Sequence, residues 1–148
     1  MYGLSWVQAI LQPVKRVVDH IILFDGTCNL CNATVQFIIK RDPKGRFAFA
    51  SLQSHAGKEL LRQHSLENTV PDSVVLLSAG QLFVQSDAVL RILRQLTSPW
   101  RLFSFLLVIP RPLRDFFYRL VARYRFRFFG QRSVCMHTLP GFEERFLV

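Results

Sequence analysis

The stretch Ile22–Lys40, ILFDGTCNLCNATVQFIIK, decides the fold. Its apolar start, rich in β-branched and aromatic residues, ends at an Asp-Gly pair and predicts a buried strand followed by a turn. From Asn29 to Arg41 the apolar residues mostly recur at helical spacing, and an Asp-Pro-Lys-Gly sequence ends the predicted helix. Two cysteines, Cys28 and Cys31, therefore stand where a strand gives way to a helix.

The chain after this stretch alternates strand and helix patterns. Ser86 or Asp87 is expected to cap the third helix, which ends before Pro99. The predicted order is β-α-β-α-β-β-α, a three-layer α/β sandwich, and long connections favour parallel first strands whereas the short Ala-Gly turn predicts an antiparallel last pair. The further predicted elements are strands at residues 46–50, 73–78 and 81–85 and helices at residues 54–66 and 88–96.

Length and charge describe a single domain with an unusual last third. The 148 residues predict one domain over residues 1–148, with a core at about 18–97 and a helical extension at about 99–148. The net charge of +9 is uneven, because residues 91–148 hold eleven Arg and no Lys against three acidic residues. The extension therefore needs an explanation of its own.

The main feature of the extension is a predicted helix over residues 113–130, opened by prolines and ended by a glycine. We expect its apolar stripe to pack onto the domain while its basic ridge faces solvent. Weak contact with an anionic membrane surface is the second interpretation, and nucleic-acid binding is the least favoured, since the helix has no Lys. The stripe is Leu113, Phe117, Leu120, Tyr124 and Phe128, and the ridge is Arg119, Arg123 and Arg127.

The cellular compartment is predicted from what the sequence lacks. No apolar run approaches the roughly 20 residues that span a bilayer, and no basic residue precedes the apolar part of the N-terminal sequence. We therefore expect a cytoplasmic protein, where disulfides are usually transient and catalytic.

The cysteine spacing predicts thiol-disulfide chemistry. Cys28 and Cys31 lie one helical turn apart, close enough for a disulfide, and the free N–H groups at a helix start favour a thiolate at Cys28. Cys28 is then the nucleophile, and Cys31, expected to be deeper and more shielded, resolves the mixed disulfide. Gly26 would allow the tight turn, and Asp25 would either cap that turn or accept a proton from Cys31.

Two other interpretations of the cysteines stay open. The pair can simply pack in the core, as small buried cysteines do. Alternatively, Cys28, Cys31, Cys135 and His137 form a zinc site, although a Cys-x-His half-site is unusual. For Cys135 itself, burial as an apolar residue is the default interpretation.

The sequence FDGTCNLCN, with its DxxCxxC motif, resembles the DCC family of predicted thiol-disulfide oxidoreductases. The resemblance covers nearly the whole chain after about residue 20, including RFAFASLQSHAG, SDAVLRIL and IPRPLRDFFY. It implies a thioredoxin-like domain with a dithiol or disulfide site at Cys28 and Cys31. It also implies a protein or low-molecular-weight thiol or disulfide as substrate, an external reductant, and no cofactor.

Substrate contacts are expected at two further places. Thioredoxins carry a cis-proline directly before the third core strand, whereas here Asp72 and Ser73 follow Pro71 and separate it from that strand. Either Pro71 fills this role from a shifted loop, or Asp72 and Ser73 replace it. Ser86 and Asp87 stand where glutaredoxin-like proteins hold glutathione, although a helix cap is the favoured interpretation.

Overall fold

A five-stranded mixed sheet forms the centre of the computed structural model, which describes residues 20–66, 74–130 and 140–147. Its strand order is β4-β3-β1-β2-β5. The strands are β1 His20–Phe24, β2 Phe47–Ser51, β3 Val75–Ser78, β4 Gln81–Val84 and β5 Phe146–Leu147. The helices are α1 Asn29–Arg41, α2 His55–Gln63, α3 Gln85–Gln95 and α4 Arg111–Phe129, with 3-10 helices at Trp100–Val108 and Glu143–Arg145.

Strand directions agree with the predictions in two of three cases. β1 and β2 are parallel, with Ile22 beside Phe49, and β3 and β4 form the predicted antiparallel hairpin. The expectation of a parallel third strand is wrong, because β3 pairs antiparallel with β1. Connection length sets only a minimum for a crossover, and the segment between β2 and β3 is long enough for a helix and a return to the same sheet end.

β5 has no counterpart among the predicted elements. Its two residues pair in parallel with β2, and both are buried. A strand of two residues shows no alternation, so its sequence has no strand signature. The extension, predicted as helical, thus also contributes an edge strand to the sheet.

The sheet divides the core into two layers, as a thioredoxin-like α/β fold requires. One face of the strands packs against α2, with Leu23 and Ala50 at its centre. The other face packs against α1 and α3, with Phe24 and Phe49 at its centre. Successive strand residues point to opposite faces, so the continuous apolar strands β1 and β2 are covered on both sides.

The predicted cap of α3 is wrong. The helix begins at Gln85, and its N-cap is Val84, which makes no side-chain capping bond. Ser86 and Asp87 instead bind α4: the Ser86 hydroxyl donates to Asp115, and the Asp87 carboxylate pairs with arginines of α4. These polar contacts hold the extension against α3.

The predicted packing of the apolar stripe of α4 is wrong, whereas the basic ridge is exposed as predicted. The residues of the apolar stripe are between 38% and 76% exposed. The face turned toward α1 and α3 is instead that of Arg114, Tyr118 and Arg125. Arg114 binds Asp87 of α3, and Arg125 contacts the site described below. In the described part of the chain, no helix combines the length and apolarity needed to cross a bilayer.

Candidate redox site

The turn from β1 into α1 holds the two cysteines of the DxxCxxC motif. Cys28 is the N-cap of α1, and its Sγ accepts a hydrogen bond from the N–H of Cys31 at 3.3 Å. Both cysteines carry free thiols. One amide of the helix start, which has no partner within the helix, thus donates to the Cys28 sulfur.

The relative burial of the two cysteines is the reverse of the prediction. Cys28 is fully buried, whereas Cys31 keeps 6% of its surface exposed. Close to Cys28, the Asn29 side-chain amide donates to the Phe129 carbonyl at 2.8 Å, and its backbone N–H donates to the Gly130 carbonyl. Because these contacts join the C-terminal end of α4 to the start of α1, the extension covers the site on this side.

Asp25 is a buried carboxylate with several donors. It accepts hydrogen bonds from the backbone and hydroxyl of Thr27, at 3.0 and 2.7 Å, and from the Gln53 amide at 2.8 Å. Burial by itself would raise the pKa of Asp25, but these hydrogen bonds and the charge of Arg125 outweigh it and hold the pKa below 3.8. Asp25 therefore caps the turn, and its low pKa makes it a weak proton acceptor.

Arg125 is the residue that joins the extension to the cysteines. It is only 3% exposed, with one guanidinium nitrogen 3.3 Å from the Asp25 carboxylate and another 4.0 Å from the Cys31 sulfur. The predicted basic ridge does not include it. The missed signal is its spacing of eleven residues from Arg114, about three helical turns, which places both on a face away from the ridge.

The electrostatics keep Cys31 protonated in the reduced site. Burial, the hydrogen bond to Cys28, the negative charge on Cys28 and, least, that on Asp25 raise the pKa of Cys31 to about 12, against an opposing effect of Arg125. Two of these four causes depend on Cys28 carrying a free, charged sulfur. The pKa of Cys31 is therefore expected to fall when the Cys28 sulfur becomes bonded.

The backbone of Gly26 makes hydrogen bonds with two side chains. Its N–H donates to Gln53 at 3.0 Å, and its carbonyl accepts from the buried Asn32 amide at 3.1 Å. The glycines with positive φ in the described residues are Gly45, Gly80, Gly130 and Gly141, so the turn at Gly26 does not use the left-handed region. Gln53, which binds both Gly26 and Asp25, was missed because nothing in its local sequence marks it.

An apolar cavity of about 540 Å³ lies between α1, α3, the 3-10 helix Trp100–Val108 and α4. Cys31 and the predicted substrate residue Ser86 line it. Tyr118, also in its wall, accepts the N–H of Val74 at 3.0 Å, and burial raises its pKa. The apolar lining includes Leu30, Val89, Leu90, Leu106, Ile109, Phe117, Val121 and Ala122.

The remaining predicted site residues fall into two groups. Asp87 binds Arg114 at 3.1 Å and Arg111 at 2.7 Å, so it holds α4 in place. The others, Pro71, Asp72, Ser73, Cys135 and His137, lie outside the described residues. The zinc hypothesis and the cis-proline alternatives therefore stay predictions.

The fold and the cysteine pair define a class: thioredoxin-like α/β proteins with a dithiol at the start of the first helix. Within that class, the model of the DCC1-like thiol-disulfide oxidoreductase family matches residues 22–131. This match covers well over half of the chain, and the chain belongs to that family.

Two similar proteins extend the comparison. The chain is 43% identical over 133 residues to "Uncharacterized protein YuxK" of Bacillus subtilis (strain 168), covering 90% of this chain and 97% of that protein. It is 40% identical over 134 residues to "DCC family protein At1g52590, chloroplastic" of Arabidopsis thaliana, covering 90% and 78% respectively. No solved structure matches the chain significantly.

Proposed function

We propose that this protein reduces disulfides through its own dithiol, with Cys28 as nucleophile and Cys31 as resolving thiol. The observation that carries the proposal is the position of Cys28 as the N-cap of α1, with its sulfur accepting the Cys31 N–H. Membership of a thiol-disulfide oxidoreductase family supports the reaction class.

The first step forms a mixed disulfide. The Cys28 thiolate attacks one sulfur of a substrate disulfide, a Cys28–substrate bond replaces the substrate S–S bond, and the other substrate sulfur leaves as a thiolate. Because Cys28 is fully buried, the contacts between Asn29 and the end of α4 must open for a protein substrate to enter. That region of α4 thus controls access to the nucleophile.

The second step releases the substrate. With Cys28 bonded, its hydrogen bond and charge no longer raise the pKa of Cys31, while the Arg125 guanidinium remains 4.0 Å away. Cys31 loses its proton to solvent and attacks the Cys28 sulfur, which forms the Cys28–Cys31 disulfide and expels the second substrate thiolate. The substrate gains two electrons, and the protein dithiol loses two.

The test is reduction of insulin disulfides with dithiothreitol as the terminal reductant. Cys28→Ser should abolish the catalysed rate, and Cys31→Ser should accumulate a mixed disulfide detectable by mass spectrometry. Cys135→Ser is the matched control, since it removes the third cysteine and should retain the rate. A Cys28→Ser protein that still catalyses reduction contradicts the mechanism, and one metal ion per chain, lost in Cys28→Ser and Cys135→Ser alike, would favour the zinc alternative.

A second role rests on a different observation, the exposed apolar stripe of α4. The stripe lies beside the basic ridge, so one surface of the helix offers phenylalanines and arginines together. We propose that this surface rests on an anionic bilayer, because such a helix inserts apolar side chains while its arginines meet lipid phosphates. Sedimentation with anionic vesicles, but not with zwitterionic ones, is the expected result; equal binding to both would contradict it.

A further inference from the structure

The cavity described above reaches only one of the two reactive cysteines. Among the described residues, Cys31 lines it and Cys28 does not. The contacts that cover Cys28 lie elsewhere, at the junction of Asn29 with Phe129. The two cysteines are thus approached from two sides, one through the end of α4 and the other through the cavity.

The charges around the cavity favour an anionic sulfur. Arg114 and Arg125 are the charged residues among its described lining, and the carboxylates that pair with them, Asp87 and Asp25, lie behind that lining. One nitrogen of Arg125 lies 4.0 Å from the Cys31 sulfur, so this cation stands at the point that a bound molecule would reach. A thiol that enters beside such a cation has its thiolate form stabilised.

The protonation of the reduced site limits which molecule can react there. In the reduced protein Cys31 is held as a thiol, which hardly attacks a disulfide. A molecule in the cavity therefore meets an unreactive thiol in the reduced protein, whereas in the oxidised protein it meets a sulfur of the Cys28–Cys31 disulfide. At that stage the protein offers a disulfide, so the reacting molecule must supply a thiol.

The size and surface of the cavity indicate a small molecule. Its volume of about 540 Å³ lies within the roughly 300–1,000 Å³ of ligand pockets, and its described walls are mostly apolar. Phe117 and Val121 line it and are also more than half exposed, so the cavity opens to the outside along α4. An apolar thiol can enter there without passing Cys28.

We propose that this cavity binds a small apolar thiol, which reduces the Cys28–Cys31 disulfide by attacking the Cys31 sulfur. The inference rests on the proposed function and names the reductant that it requires. The ligand thiolate forms a bond to Cys31, the protein S–S bond breaks, and Cys28 leaves as a thiolate whose sulfur accepts the Cys31 N–H. A second ligand thiolate then attacks the ligand sulfur of the mixed disulfide, so a ligand disulfide departs and Cys31 regains a proton.

The test uses the oxidised full-length protein and straight-chain alkanethiols from ethanethiol to hexanethiol. Thiol acidity hardly changes along this series, so the rate reports apolar burial. We expect the second-order rate constant for reduction to rise about fourfold per methylene until the cavity is full. Peptide mapping after acid quenching and alkylation should find the alkyl group on Cys31.

A matched pair of variants locates the effect. Ala122→Phe fills the cavity and should flatten the dependence on chain length, whereas Ala33→Phe makes the same change at an exposed position of α1 outside the cavity and should preserve it. If Ala122→Phe does not fold, the wild-type series and the peptide map still decide the question.

The proposal and the proposed function fail in different ways. A flat series, or an alkyl group found on Cys28, would overturn the cavity proposal, including the case in which residues outside the described ranges fill the cavity. The proposed function would still stand if 2-mercaptoethanol reduces the oxidised pair and Cys28→Ser loses insulin reduction. Conversely, a protein that never forms the Cys28–Cys31 disulfide would remove both.

Discussion

The sheet and α4 follow opposite rules of burial. In β1, β2 and β5 the phenylalanines are buried, as Phe49 shows with no exposed surface. In α4, Arg125 is 3% exposed while Phe128 is 76% exposed. Burying a cation costs free energy unless it is paired, so Arg125 needs anionic or polar partners where α4 meets the site.

The pairing that offsets this cost is local to the redox site. Arg125 meets the carboxylate of Asp25 from one side and the sulfur of Cys31 from the other. Near the first turn of α4, Arg114 meets Asp87 in the same manner. The cavity-facing side of α4 is thus joined to the sheet domain by an arginine near each end, and Arg111 adds a second ion pair to Asp87.

Removing a phenylalanine from each region gives the largest expected contrast. Phe49→Ala deletes a ring enclosed by both α-helical packing and Phe146, so we expect a loss of about 3–5 kcal/mol in the free energy of unfolding. Phe128→Ala deletes a ring of the same size from an exposed position and should change that free energy by less than about 0.5 kcal/mol. Urea unfolding measures both, and a similar cost in the two variants would contradict the inverted burial of α4.

Removing an arginine from each face of α4 should give the next largest difference. Arg125→Met leaves the Asp25 carboxylate buried without its cation, and we expect a loss of about 3 kcal/mol in the free energy of unfolding. It should also slow the release step, because the positive charge beside Cys31 is gone. Arg127→Met, an exposed neighbour, is the control and should alter neither quantity; if the two variants behave alike, Arg125 does not anchor the extension.

The elements that the sequence predicts well are those with a local pattern. The bounds of α1 agree with the prediction because its apolar spacing and its Asp-Pro-Lys-Gly end both lie within the segment. The direction of β3 and the existence of β5 depend on where distant segments return to the sheet. No periodicity within a few residues contains that information.

In the candidate site, too, the residues within one local motif could be predicted and those from distant segments could not. Asp25, Cys28 and Cys31 share one seven-residue motif, so the sequence places them together, and the structure does too. Gln53 and Arg125 come from 28 and 100 residues away from Asp25 and had no pattern of their own to mark them. Ser86 and Asp87 stand at the start of a helix and would be expected to cap it, but α4 takes both as partners.

Acid should weaken the contact between Arg125 of α4 and Asp25. Its folded-state pKa lies below 3.8, so its contribution is fully present above that value and is lost as the pH falls through the folded pKa. Asp25→Asn removes this dependence. We expect the stability difference between wild type and variant to shrink on acidification below pH 3.8, by at most about 1.4 kcal/mol per pH unit for one proton. If the free energies of unfolding of the two proteins, measured in urea, fall by the same amount on acidification, Asp25 does not titrate in this way.

The exposed face of α4 should respond to salt and lipid instead. If the basic ridge meets an anionic bilayer, each of Arg119→Gln, Arg123→Gln and Arg127→Gln removes one cation near the lipid phosphates. The expected loss is about 1 kcal/mol, or roughly a fivefold weaker partition coefficient on phosphatidylserine vesicles. Arg62→Gln, on the exposed surface of α2, is the control and should bind as wild type does.

Because the ridge would act through charge and the stripe through burial, Phe117→Ser should weaken binding at high salt as well, whereas the arginine effects should fade as the Debye length shortens. If vesicle binding is unchanged in all four α4 variants, the exposed face of the helix does not bind lipid. The role of α4 would then be limited to the contacts of its buried face.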